Sequence, residues 1–293
     1  MRRAKGLWAG LVVGLLVGCS GTAVPATPLA PTPIMPQATL MQPATETAVP
    51  PADPSQTATP APTPIPDTGW QTIQPGLELR AIHLYNDAGT ARERMTFLRL
   101  DPAQFTFRIA YKPGAPQSIP QWQAETGALL VVNGGYFTPE NIATGLIIVD
   151  GQASGSSYGD FAGMLAVDER GPELRWLAER PYTPGESLLY ALQSFPMLVK
   201  PGGALGFPND DGLTARRTAI GQDGNGRILF IFAPWGSLTL HELSAFLVDS
   251  DLELDIAFNL DGGPSTGMML AGETAVEIPA FSLLPAVITV QAR

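Results

Sequence analysis

Phe105-Thr106-Phe107-Arg108-Ile109-Ala110-Tyr111 places large apolar side chains at 105, 107, 109 and 111, with Thr, Arg and Ala between them. A period of two sends the first set to one face of a pleated strand and the second to the other, so the stretch predicts a strand with one buried face. Working outward, 77–85 and 95–100 have the same alternating or β-branched character and are separated by turn residues, which predicts a β-rich opening. Downstream, 128–132, 146–149, 161–167, 227–232 and 256–260 are further strand candidates. Several are too apolar to leave one face in water and belong in a covered sheet. Helices are expected at 119–125, 186–193 and 240–248; in the last, Leu240, Leu243, Phe246 and Leu247 share a face. Thr239 and Glu242 at its start have capping-box spacing, which makes Glu242 a helix cap rather than a catalytic acid. The expected class is α+β: a single domain on a mixed, largely covered β-sheet with few helices.

Composition agrees with one compact, loop-rich body. Of 293 residues, 45% are hydrophobic and 15% charged, and 31 Gly with 29 Pro imply many turns. A formal net charge of -10 repels phosphate backbones, so nucleic acid is not an expected partner. The single cysteine rules out an internal disulfide framework and CxxC-type metal sites.

The first quarter has a different character. Arg2, Arg3 and Lys5 precede an apolar run from Leu7 to Val17 that is too short for a mature membrane span and has the charged start of a signal peptide. It ends in Leu16-Val17-Gly18-Cys19, which resembles the bacterial lipobox and predicts acylation of Cys19, export, and a lipid anchor holding the protein to a membrane outside the cytoplasm. Residues 20–69 are dominated by Pro, Thr and Ala; such a segment cannot bury enough surface to offset its ordering entropy and is expected to be a disordered spacer. The expected division is therefore 1–19 lipoprotein signal, 20–69 spacer and 70–293 folded domain.

Three glycine-rich or polar segments each follow an apolar run: Asn133-Gly134-Gly135-Tyr136-Phe137, Arg216-Arg217-Thr218-Ala219-Ile220-Gly221, and Asn259-Leu260-Asp261-Gly262-Gly263-Pro264-Ser265-Thr266-Gly267. Glycine beside polar groups at strand ends lets a ligand approach backbone N–H groups closely, although each segment alone reads equally as a tight turn. In sequence, NGGYF, then SFPMLV at 194–199, then RRTAIG, then NLDGGPST resembles the phosphodiester glycosidase family over roughly 75–293. That resemblance implies a mixed α+β domain that hydrolyses a sugar 1-phosphodiester to free sugar and phosphate monoester. Pro264 departs from the small residue expected in the third position of DGG-x-S and removes an N–H donor there.

The residues suit such chemistry. A planar guanidinium can hold two oxygens of an anionic diester, which makes Arg217 the catalytic candidate and Arg216, on the opposite face by alternation, the second choice. Asp261 is the one carboxylate inside the motifs, as a general acid, a nucleophile or a cation ligand would require. Asn133 and Asn259 are candidates for sugar hydroxyls, with Gly134, Gly135, Gly262 and Gly263 as backbone donors and Ser265 and Thr266 as hydroxyl donors in substrate binding. Tyr136 or Phe137 is a candidate for stacking on a sugar ring, and Asp150 is expected only to make a hairpin turn. No HExxH, Cys/His cluster or EF-hand loop occurs, so a zinc site is not expected; Asp261 with carbonyl oxygens leaves room for a divalent cation such as calcium or magnesium. The expected partner is a phosphodiester-linked glycan. Gly155-x-Ser157-x-Gly159 and Gly263-x-Ser265-x-Gly267 match the serine-hydrolase elbow, but neither lies between a strand and a helix, and neither His83 nor His241 follows Ser265. A non-catalytic glycan-binding module is the remaining alternative, since it needs the same cradle.

Overall fold

The structure is a computed structural model that describes residues 66–293. The expected signal peptide, Cys19 and nearly all of the spacer lie outside these residues. The fold begins slightly before Trp70. The Thr68 N–H donates to Ala81 O at 3.0 Å, Pro66 O accepts from the His83 N–H at 2.7 Å, and Asp67 pairs with Arg80.

Three antiparallel sheets carry the domain. The first has eight strands in the order β1 (Gln71–Gln74), β2 (Leu77–Tyr85), β3 (Ala91–Leu100), β14 (Ile228–Leu238), β13 (Ala215–Asp223), β15 (Leu254–Asn259), β11 (Met197–Lys200) and β12 (Ala204–Leu205). The second runs β7 (Gln152–Ser154), β6 (Ile147–Val149), β10 (Tyr190–Ser194), β8 (Gly163–Asp168) and β9 (Gly171–Trp176). The third runs β17 (Val276–Ile278), β16 (Met268–Leu270), β5 (Leu130–Asn133), β18 (Ala286–Ala292) and β4 (Phe105–Tyr111). Two helices complete it, α1 (Ile119–Thr126) and α2 (Leu240–Asp249), with a 3-10 turn at Gly263–Ser265.

The expected single mixed sheet is corrected to three sheets whose named pairings are all antiparallel. The reason lies in the connections. A parallel pair needs a crossover of a dozen or more residues, usually helical, whereas β2–β3, β8–β9 and β13–β14 close as short hairpins. The expected helix at 186–193 is also corrected. Glu186 sits in a turn, accepting from the Thr183 N–H at 2.6 Å, and Tyr190–Ser194 is a strand paired with β6 and β8. A short apolar run satisfies both periods, and sheet pairing on two sides decides it.

One core cluster joins the inner faces of all three sheets, with Phe107, Val132, Leu165, Ile220, Phe230, Phe258 and Ile288 in it. Strand β14 shows why the central segments are continuously apolar: Ile228, Phe230 and Phe232 enter this common core, while Leu229, Ile231 and Ala233 face α2 through Leu243 and Leu247. Both helices start at capping boxes, Ser118 with Gln121 and Thr239 with Glu242. Glu242 additionally holds Arg92 at 2.6 Å, in keeping with a structural rather than catalytic carboxylate.

Candidate functional site

The segments Asn133–Phe137, Ser194–Val199, Arg216–Gly221 and Asn259–Thr266 meet where the first and third sheets come together. Asn133, at the end of β5 and fully buried, is the tie. Its Oδ1 accepts from Thr218 Oγ1 at 2.8 Å and from the Gly267 N–H at 3.1 Å, while its Nδ2 donates to Asp261 O at 2.7 Å. Its amide is thereby bonded into the framework through both its oxygen and its nitrogen. Arg216–Gly221 is likewise not a segment after a strand: it is β13 itself, pairing Arg217 with Ala233 on β14 and Ala219 with Asn259 on β15.

Asn259 is also fully buried and donates to the Tyr136 hydroxyl at 2.8 Å; its Nδ2 reaches Phe195 O at 3.3 Å as well. Its Oδ1 is buried without a hydrogen-bond partner among the described residues, as is Thr266 Oγ1. Ser265 is buried in the 3-10 turn and shares a hydrogen with Ser282 Oγ at 3.1 Å. Gly134, Gly135 and Gly262 stand where packing leaves no room for a side chain. A Cβ on each would stand 2.8 Å from Ala286 O, Gln193 O and Arg216 O respectively. Gly263 is different: its φ is +57 and the space around it is open.

The two charged candidates stand in contrasting surroundings. Asp261 follows β15, half-buried, with Oδ1 accepting from the Gly262 N–H at 2.8 Å. Burial pushes its carboxyl up to about 6, against the smaller opposing effects of Ser265 and of the Gly262 N–H. Arg217 is steered by two carbonyls, Leu213 O at 2.6 Å and Leu238 O at 3.3 Å. Burial works against its charge, with Tyr136 and Asp211 acting the other way, and among the described ion pairs none involves it. A cation held half-buried without a paired carboxylate is poised for an incoming anion.

Tyr136 links the two. Burial raises its phenol to about 12; the Asp261 charge adds to the rise and the Arg217 charge opposes it, so the ring sits within the field of both. Around it stand aromatics that sequence reasoning missed. Phe195 lies 4.7 Å from Tyr136 between ring centroids, and Tyr158 lies 5.2 Å from Phe195. Phe161, about half exposed, closes on both Tyr158 and Phe195. Phe137 goes into the core with α1, as a residue after a strand commonly does. Asp150 has φ +47 in the β6–β7 turn and accepts from the Tyr190 hydroxyl, a hairpin role. Ser157 Oγ donates to the neighbouring Tyr158 O, and His241 Nδ1 bonds Phe207 O at 3.0 Å, so no serine triad forms around either. Among the described residues no three His, Cys, Asp or Glu side chains converge in a way that could hold a metal ion.

A family model described as phosphodiester glycosidase matches residues 126–287, a span that holds all four converging segments. Among solved structures, the catalytic domain of zebrafish N-acetylglucosamine-1-phosphodiester alpha-N-acetylglucosaminidase, auto-inhibited by its pro-peptide, is similar in fold. It is 20% identical with a TM-score of 0.59, the match covering 76% of this chain and 86% of that one. A hypothetical protein from Synechocystis is 14% identical with a TM-score of 0.53, the match covering 75% of this chain and 63% of that one. No curated protein sequence matches the chain.

Proposed function

Since the chain belongs to the phosphodiester glycosidases, a family of hydrolases, we propose that it cleaves a sugar 1-phosphodiester at the site of Asp261, Arg217 and Tyr136, acting on an exported or cell-surface glycan. The observation that carries this reading is the convergence of the motif segments at Asn133, which bonds Asp261 O and Thr218 beside Arg217, with Tyr136 bonded to Asn259 next to them. Arg217 receives the diester anion, and the aromatic wall of Tyr136, Phe195 and Tyr158 takes a sugar face.

The leaving group decides what the carboxylate does. A phosphate monoester has a second pKa of about 6 and departs without being protonated, so a general acid adds little. Asp261 in its ionised form takes a proton from water instead. The water oxygen bonds to the anomeric carbon, the carbon–oxygen bond to phosphate breaks, and its electron pair leaves with the phosphate monoester. A base whose conjugate acid titrates near 6 is well matched to neutral pH.

Incubating the full chain with a panel of sugar 1-phosphodiesters, with and without EDTA, tests the proposal. Release of free sugar in an Asp261-dependent way supports it; binding without turnover leaves the chain a glycan-binding member of its family. Loss of activity in EDTA would show that a divalent cation takes part. We also propose that Cys19 carries the lipid that anchors the protein outside the cytoplasm. Cys19→Ser then shifts it from the membrane to the soluble fraction or leaves it unprocessed; unchanged membrane retention with normal processing refutes the anchor.

A further inference from the structure

A cleft of about 410 Å³ opens between β2 and β3 of the first sheet and β17 of the third, its Arg216 and Phe281 end backing on Gly262 and Pro264. Its wall includes Arg216, the neighbour of Arg217, so β13 separates the cleft from the Arg217 side chain by sending adjacent side chains to opposite faces. Arg94 also lines it, exposed, and no described side-chain hydrogen bond or ion pair ties its guanidinium down. Glu277 also lines it, and the buried Glu93 beneath Trp235 lies in the field of Arg216, so Arg94 is the cleft cation left without an acidic partner among the described ion pairs.

The cleft's aromatic rim is a built feature. Between Ala215 and Arg217 the β13–β14 register slips, and residues 234–237 bulge out. Glu93, fully buried, holds that bulge: its Oε1 accepts from the Trp235 N–H at 2.9 Å, and its Oε2 from the Ser237 N–H at 3.2 Å and from Ser237 Oγ at 3.1 Å. Gly236, at φ +79, passes so close to β13 that a Cβ would meet the Arg216 nitrogen at 3.2 Å. A buried carboxylate and a left-handed glycine are costly, and what they deliver is a Trp235 ring turned outward and 53% exposed. Phe281, 72% exposed, covers Arg216 with its ring centroid 4.3 Å from the guanidinium carbon. Pro234 O and Pro279 O each accept from the Arg216 guanidinium at 2.9 Å, and its remaining nitrogen is buried without a partner among the described residues, so Arg216 braces the rim while Arg94 is the cation open to a ligand.

Outward-facing rings give flat apolar platforms for the C–H face of a sugar, and guanidiniums beside them bind acidic substituents. We propose that this cleft is a second binding site, taking a sugar unit that bears a phosphate group between Trp235 and Arg94. It operates without the chemistry at Asp261, so its failure and that of the hydrolase reading are separate.

The test follows the Trp235 indole N–H by nitrogen-15 NMR in the full-length protein, its peak assigned by loss in Trp235→Phe. Glucose 6-phosphate is the probe, with glucose and inorganic phosphate as its halves. Glucose 6-phosphate is expected to shift the Trp235 peak saturably, each half binding at least tenfold more weakly. Arg94→Gln, an exposed change, is expected to weaken binding about tenfold, and Arg217→Ala to leave it within twofold. Absence of a shift at millimolar concentrations overturns the proposal. So do equal shifts with phosphate alone, indifference to Arg94→Gln, or a stronger shift with a peptide of the Pro/Thr-rich residues 30–60.

Discussion

Asn133 Oδ1 accepts the Thr218 hydroxyl at 2.8 Å across 85 positions of sequence, and with its Nδ2 on Asp261 O it ties three motif segments into one junction. Removing the amide leaves Thr218 Oγ1, the Gly267 N–H and Asp261 O without that partner in a fully buried place. An unpaired buried polar group costs about 1–3 kcal/mol, so Asn133→Ala is expected to destabilise the domain by roughly 2–4 kcal/mol. At about 2–4 °C per kcal/mol for a domain this size, Tm falls by roughly 5–15 °C in calorimetry. Asn133→Asp should do no better, because it replaces donors facing carbonyls with lone pairs. A change under 2 °C for Asn133→Ala would point to Asn133 as a substrate ligand instead.

Arg217 is predicted to act on the diester and not on the fold. Its guanidinium bonds two carbonyls and no carboxylate, so Arg217→Ala removes a poorly compensated buried charge and leaves stability within about 1 kcal/mol. Loss of a charge-assisted contact worth about 1.5–3 kcal/mol lowers kcat/KM by roughly tenfold to a hundredfold or more. Arg217→Lys restores only part of it, lacking the planar fork. Paired kinetics and thermal melts decide the matter: near-parental kcat/KM in Arg217→Ala removes the residue from the site.

Several elements could be read directly from the sequence. The alternation at 77–85 and 105–111 returns as β2 and β4 with those same bounds, and the Thr239–Glu242 capping box forms. What escaped was set by contacts between distant segments. Arg216–Gly221 lacks an alternating pattern because β13 is sandwiched between β14 and β15, with Thr218 and Ile220 facing one core and Ala219 the other. The glycines of the motifs carry no local mark separating a ligand cradle from close strand packing; only the positions of Ala286 O, Gln193 O and Arg216 O distinguish the two. Tyr158 and Phe161 sit in the loop between β7 and β8 and Phe195 lies between β10 and β11, so no periodicity could have joined them to Tyr136.

The pH profile distinguishes base from acid. With the Asp261 carboxyl raised to about 6, a mechanism that uses its ionised form gains activity as pH rises through that value. The limb of kcat/KM against pH should therefore climb from about 5 to 7 and flatten above. A limb that falls over the same range would make Asp261 the proton donor and refute the water-activating role.

Asp261→Asn is expected to trade activity for stability, and the direction follows from proton linkage. The folded carboxyl titrates at about 6 and the unfolded one near 3.8, so between these values the folded state binds more protons than the unfolded. Stability then falls as pH rises through the window. Above about 6 the full cost of burying the charge is present, and below about 4 it is gone. At 1.36 kcal/mol for each pH unit, that cost is at most about 3 kcal/mol. Asparagine keeps an Oδ1 for the Gly262 N–H and carries no charge to bury, so the variant should melt several degrees higher than the parent at pH 7.5. The advantage should vanish by pH 4, where both side chains are neutral, while turnover of a cleavable diester is lost across the range. Melts at both pH values provide the check: an advantage that persists unchanged at pH 4 would trace it to packing instead of to the charge, and a variant less stable at pH 7.5 would show that the ionised carboxylate is held by contacts stronger than its burial.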